Sequence, residues 1–411
     1  MNPAVVVSST TPGYGIVRAL GLMGVPVVVV TYDPDDVLTA SKYAVDVIIA
    51  AHPEKGEAQF IESLVNIAHR YSGSLLIPGS DPALAAISRN KAELDKHYIV
   101  ACHNWERTKL FLDKMYTYKL ADEIGVPVPK TLIPASIEDV ENYGKSVKYP
   151  CVIKPRQVHI FFDIFKVKMF WIENYDELIK MYKKTASVDS GVVIQEFIPG
   201  EDGHGVNYNS YFWNGQPLVE FTARKVRNAP PKLGAPRVVV SQEIPVILES
   251  GRQIVKALGF DGYSCTEFKW DPRDNTYKLM EVNGRHNLSS LLSIECGLNF
   301  PWMQYKHLMK GELPTQSSWE KGVYWIDFLT DALYSAKSFR QERYSIKEYL
   351  RPYLKRHIFA DLDLWDLGPF LKRWENAIER VITVLWNLIR VKLGCGSQKK
   401  GVYLKTKIDK Q

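Results

Sequence analysis

The chain carries only five cysteines in 411 residues, at positions 102, 151, 265, 296 and 395. Their number is odd and none are spaced as CxxC. That argues against a disulfide framework or a zinc site and fits a reducing cytoplasm. No run of about 18 apolar residues occurs, so no membrane-spanning helix is expected. No basic flank precedes the first apolar run, so no secretory leader is expected. Internal repeats and low-complexity segments are missing as well. Excess charge is small, at +6, and unevenly spread. From Asp331 to Gln411 there are 17 Lys and Arg against 9 Asp and Glu, a net of +8, which leaves −2 for the preceding residues. The basic character therefore belongs to the C-terminal segment, and nucleic acid is not an expected partner of the main body.

What is present first is alternation of strand and helix. "AVVVSS" is a β-branched run. After it come the turn "TTPGYG", the helical "IVRALGLMG" and a second strand, "VPVVVVTYD". This βαβ unit implies a parallel, doubly wound sheet. The turn lacks GxGxxG spacing. Thr10, Thr11, Gly13 and Gly15 suit either a small ligand at the helix N-terminus or a plain tight turn. "SLLIPGSDPALAAISRN" repeats the strand–turn–helix pattern. Ser80 or Asp81 would cap its helix, at a strand end where substrates also commonly sit.

A change of composition near residues 104–109 marks a boundary. Beyond it, "DKMYTYKLADEIGVPVPKTLIP" is a helix stopped by Gly125. "YPCVIKPRQV" is a strand carrying Lys154, and "GVVIQEFIPGED" is a strand ending at Pro199-Gly200. "QPLVEFTARKVRN" is a strand with a basic end. "YSCTEFKWDPRDNTYKLMEVNGR" is a hairpin whose turn is rich in Asp, Pro and Asn. Glu267 lies on its first strand and Glu281 on its second, with the turn centred near Arg273 and Asp274. Antiparallel pairing would bring the two carboxylates together, with Asn283 on the same face as Glu281. Like charges so close favour a cation between them, and oxygen ligands suit Mg²⁺. Lys114, Lys154 and Arg285 add positive charges that a polyphosphate would pair.

In order and spacing these segments resemble the ATP-grasp superfamily, and within it the predicted carboxylate–amine ligases, which include D-aspartate-ligase-like members. The resemblance spans residues 1–312. It implies a Rossmann-like parallel-sheet domain (1–105), an ATP-grasp domain of two α+β subdomains (106–312), and a C-terminal helical, basic extension (313–411). It further implies ATP, with Mg²⁺ or alternatively Mn²⁺, in a cytoplasmic enzyme. Lys114 and Lys154 would hold phosphates. Gln195, Glu196, Phe197 and Ile198 would form the adenine hinge, mostly through backbone atoms, and Glu201 would bind the ribose. Glu267, Glu281 and Asn283 would be metal ligands. Arg285, with Arg224 and Lys225, would face the transferred phosphate; adjacent strand residues point opposite ways, so only one of the last two is expected in the site. The implied partners are a small carboxylate and an amine, joined through an acyl phosphate. Two alternatives stay open: a non-catalytic nucleotide-binding module, and a ligase using a thiol or other acceptor.

The chain departs from the family in one stretch. "KPRQVHIFFDIFKVKMFWI" holds no glycine where many relatives have a glycine-rich lid, and Arg156, His159 or Lys166 would have to serve instead. In the extension, Leu371, Trp374, Ile378, Val381, Leu385 and Leu388 form one helical stripe. It suits docking on the chain's own body or a second subunit. With Trp386 and the basic residues Lys392 to Lys410, residues 370–411 also suit peripheral contact with an anionic membrane.

Overall fold

The computed structural model describes residues 1–9, 11–155, 164, 165, 167, 169–186, 191–232 and 234–392. Thr10, Arg156, His159, Lys166 and the basic tail beyond Lys392 lie outside these, as do the side chains of Leu385 and Leu388. The valine-rich runs form the first sheet. Its strand order is Ala44–Ile49, Val27–Thr31, Ala4–Val7, Leu75–Pro78 and Ile99–Val100, all parallel. Both central strands, Ala4–Val7 and Val27–Thr31, are buried along their whole length, which is why they read as unbroken apolar runs rather than alternating ones. The helix Thr11–Gly21 follows the first strand. A Cβ on Gly13 would lie 2.4 Å from the Ser8 Cβ, and one on Gly15 would lie 2.3 Å from the Ser290 Oγ. These glycines serve close helix packing, which accounts for the turn without a ligand.

Two further sheets follow. A four-stranded antiparallel sheet has the order Thr131–Leu132, Val192–Glu196, Cys151–Pro155 and Phe170–Ile172. A seven-stranded sheet runs Thr276–Asn283, Gly262–Asp271, Gly205–Trp213, Gln216–Ala229, Ala235–Ser241, Tyr324–Ile326 and His357–Phe359, antiparallel except for its last pair. One apolar core joins the first sheet to this one. It holds Val6, Tyr14 and Val29 together with Tyr211, Phe221 and Trp325. The helix Lys114–Glu123 is capped by Asp113 and stops before Gly125, whose φ of 76° is the left-handed geometry that glycine adopts most easily.

The C-terminal region is largely helical, with helices Phe328–Leu333, Ser335–Gln341, Ile346–Leu354 and Gly368–Lys392. It is more closely built in than an extension starting at residue 313, because the strands Tyr324–Ile326 and His357–Phe359 complete the seven-stranded sheet. Asp331, fully buried, ties the region down. Its carboxylate accepts from Arg227 at 2.9 and 2.8 Å, from Arg237 at 2.8 Å and from the Tyr353 hydroxyl at 2.6 Å.

Candidate active site

Where the three sheets meet, a cleft of about 870 Å³ opens, within the ~300–1,000 Å³ range of small-ligand sites. The hairpin supplies its acidic face. Strand register sets Glu267 directly opposite Glu281 and Cys265 opposite Asn283, with a bulge that leaves Met280 unpaired between them. Each carboxylate is answered by a lysine. Lys114 donates to Glu281 at 2.5 Å, and Lys225 donates to Glu267 at 2.5 Å. Asn283 donates to the other Glu281 oxygen at 3.3 Å. Burial pushes the Glu281 carboxyl up, but Lys114, Asn283 and Lys225 outweigh it and hold it below the usual range. The same burial opposes charge on Lys114 and Lys225, and their carboxylate partners reverse it and raise both.

Lys154 is treated differently. It donates to the neutral Gln195 amide oxygen at 3.0 Å, and Gln195 in turn is held by the Thr131 hydroxyl at 2.9 Å. Burial first, then the Lys114 ammonium, pulls Lys154 down to about 8, against an opposite pull from Glu281. A half-buried ammonium with no carboxylate partner among the described residues suits an arriving anion. Arg285 also lines the cleft, and its guanidinium makes a bidentate pair with Asp81 at 2.6 and 2.9 Å. Ser80 caps the helix Asp81–Arg89 and also meets the Tyr32 hydroxyl at 2.8 Å. Asp81, Ser80 and Tyr32 all line the cleft, so the first domain forms one of its walls.

Twelve of the thirteen residues expected from the sequence line this cleft. The exception is Arg224, expected to face a transferred phosphate. It points away, donating to the Gln242 side chain at 2.8 Å and the Gly203 carbonyl at 2.6 Å. Lys225, its neighbour, is the one that faces in. Glu196 lines the cleft, but its carboxylate is spent on structure. It accepts from the Lys130 amide at 2.9 Å, Lys278 at 2.8 Å and Arg273 at 3.0 Å, pinning the hinge strand to the hairpin turn. Glu201 stands exposed at the rim.

Sequence reasoning missed the apolar slot beside the hinge. Val152, Met169, Phe268 and Met280 line it, and Trp171 packs on Phe197 with ring centroids 4.5 Å apart. Such a slot suits a flat heterocycle. Strand parity could have found Val152, two positions before Lys154 on the same face. His286 is 2% exposed, bonded to Gln304, stacked on Tyr263 and pushed down to about 4 by burial, so it is a core residue. Among the described residues no group of three or more His, Cys, Asp or Glu side chains is placed to hold a metal. Two carboxylates do face each other, with the Asn283 amide beside them, and hard oxygen donors of this kind suit Mg²⁺ rather than a transition metal.

No family model matches the chain. It is 27% identical over 264 residues to D-aspartate ligase of Enterococcus faecium, covering 58% of this chain and 61% of the relative. The chain thus spans about three-fifths of that relative's length. It is 25% identical over 300 residues to D-alanine–D-alanine ligase of Carboxydothermus hydrogenoformans, covering 67% of this chain and 82% of the relative. Among solved structures, the biotin carboxylase domain of Hydrogenobacter thermophilus 2-oxoglutarate carboxylase, a dimer in complex with MgADP, ADP and bicarbonate, superposes with a TM-score of 0.59. That match covers 78% of this chain and 73% of the other at 15% identity. The three-sheet architecture and these likenesses give the chain the ATP-grasp fold. In sequence the chain is similar to carboxylate–amine ligases.

Proposed function

We propose that the protein activates a small carboxylate with ATP and joins it to an amine, releasing ADP and phosphate. The observation that carries this reading is the cleft floor: two opposed carboxylates, the Asn283 amide and the ammoniums of Lys114, Lys154 and Lys225 within one pocket. The carboxylate substrate is an amino acid or a related small acid, as the D-aspartate ligase likeness suggests. In this reading the apolar slot takes the adenine against Ile198 and the hinge backbone, and Glu201 accepts from the ribose. Lys154 and Lys114 bind phosphate oxygens, Lys114 by leaving Glu281. Glu267, Glu281 and Asn283 hold Mg²⁺. The ion supplies neutralisation of charge on the phosphate oxygens as the phosphoryl group moves. Lys225 and Arg285 orient the carboxylate and the acyl phosphate, and Asp81 holds Arg285 in position. The amine then displaces phosphate. No protein nucleophile is needed, since the site works by positioning and by preorganised charge. The enzyme belongs in the cytoplasm, where ATP is made.

ADP release should require ATP, a divalent cation, an acid and an amine together. A panel of D- and L-amino acids and small carboxylates, each with and without an amine, measures it. ATP consumption that never depends on either substrate, across the panel, would leave only a nucleotide-binding role.

Lys154 gives this reading a pH signature. Its ammonium titrates near 8 in the free protein, and a bound triphosphate raises it. Below about pH 7 it is charged in both states and ATP binding takes up no proton. Above pH 8 binding takes up a proton, and affinity falls by up to about tenfold per pH unit until the bound-state pKa is passed. Calorimetry with a non-hydrolysable ATP analogue in two buffers of different ionisation enthalpy measures the uptake. Lys154→Met should abolish it and weaken binding by roughly tenfold or more, the loss of one charge-assisted contact. Equal proton uptake by the variant would assign the titration to another group.

A further inference from the structure

The helix Gly368–Lys392 is mounted the wrong way round for a helix docked on its own protein. Over its first turns, polar side chains point inward. Arg373 donates to Asp361 at 2.9 Å and to Asp327 at 2.7 Å, and Asn376 donates to the Asp35 carbonyl at 2.6 Å. Lys372 lies against Asp35. Its apolar face points to solvent: Leu371, Ile378 and Val381 are 60%, 54% and 58% exposed, and Trp386 is 60% exposed. Immediately before the helix, Leu364 and Trp365 are 82% and 78% exposed and extend the patch. An amphipathic helix ordinarily buries its apolar stripe. Here the ion pairs of Lys372 and Arg373 fix the opposite orientation at the start of the helix, and from Ile378 onward every described residue is exposed. A contiguous patch of this kind marks an interaction surface.

The chain's charge says what the surface meets. From Phe370 to Gln411 there are ten Lys and Arg against three Asp and Glu, a net of +7. Seven of those cations, from Arg390 onward, follow the exposed stripe. Two copies pairing by this face would bring two such tails together, and like charge opposes that. An anionic surface is attracted instead. Apolar side chains with tryptophans on one face, and basic residues beside them, are the two signals that together give stable interfacial binding. No helix among the described residues is long and apolar enough to cross a membrane, so the helix would lie on a bilayer.

We infer that the exposed apolar stripe from Leu364 to Trp386 is a peripheral attachment to an anionic lipid bilayer, to which the net positive charge of the sequence adds attraction. This is independent of the ligase reading.

The test is flotation of the full chain with vesicles of phosphatidylglycerol and phosphatidylcholine, and with phosphatidylcholine alone. At low salt the anionic vesicles should retain at least about tenfold more protein, and the difference should shrink as salt rises. Ile378→Glu with Val381→Glu should cut retention at least about tenfold. Both positions are exposed, so the thermal midpoint should stay unchanged. A second variant, Lys399→Glu with Lys400→Glu, should weaken retention without touching the helix. Protein that stays with the liquid phase at low salt would overturn the inference. So would a dimer in sedimentation equilibrium that Ile378→Glu with Val381→Glu dissociates, because the face would then belong to a second copy.

Discussion

Glu281→Gln should lower ATP-dependent ligation by at least 10²–10³, the usual cost of losing one preorganised charge-stabilising group. Several observations converge on this side chain. It sits opposite Glu267 in strand register, accepts from Lys114 at 2.5 Å and from Asn283 at 3.3 Å, and is held ionised despite its burial. Glutamine keeps the shape and one oxygen but removes the charge. The fold should survive, because Glu281 belongs to the cleft and not to a core cluster. Nucleotide binding should weaken less than turnover, since Lys154 and the apolar slot are untouched. Asn283→Ala should fall in the same class. Steady-state ADP release beside a thermal melt separates the two effects. Near-normal turnover by a folded Glu281→Gln protein would remove the site assignment.

Asp331→Ala should be the most damaging single change to stability. The carboxylate is fully buried and accepts from two guanidiniums that are themselves 0% exposed. Removing it leaves Arg227 without this carboxylate, while Arg237 keeps Glu342 at 2.7 Å together with the Ser338 hydroxyl and the Asn228 carbonyl. Breaking a buried ion pair by deleting one partner costs about 3–5 kcal/mol, because the remaining charge stays desolvated. The Tyr353 hydroxyl loses its acceptor as well. Since this cluster ties the residues after Tyr324 to the central sheet, the loss should appear as a lower urea midpoint in tryptophan fluorescence. An unchanged midpoint would mean that the two arginines find other partners or that water enters.

Much of the site was legible because its spacing is local. Glu267 and Glu281 flank one turn, so antiparallel pairing alone brings them together, and the valine runs announce the buried parallel strands. What was hidden depends on partners far apart in the chain. Asp331 meets Arg227 across 104 positions, and Glu196 meets Lys278 across 82, with no local pattern to mark either. The strands Tyr324–Ile326 and His357–Phe359 have three residues each, too few to show a period. Parity told that Arg224 and Lys225 face opposite ways but not which faces in. The C-terminal stripe was visible as amphipathicity, whereas its outward orientation is set by Arg373, Asp327 and Asp361, and periodicity carries no information about those.

The central claim, a carboxylate activated by phosphoryl transfer, has one direct measurement. D-aspartate, or the acid identified by the ADP-release panel, is labelled with ¹⁸O in its carboxyl group and incubated with the enzyme, Mg²⁺, ATP and the amine. The account expects one ¹⁸O atom from the acid in each inorganic phosphate released, read by mass spectrometry. Phosphate without label, or AMP and pyrophosphate in place of ADP and phosphate, would contradict it.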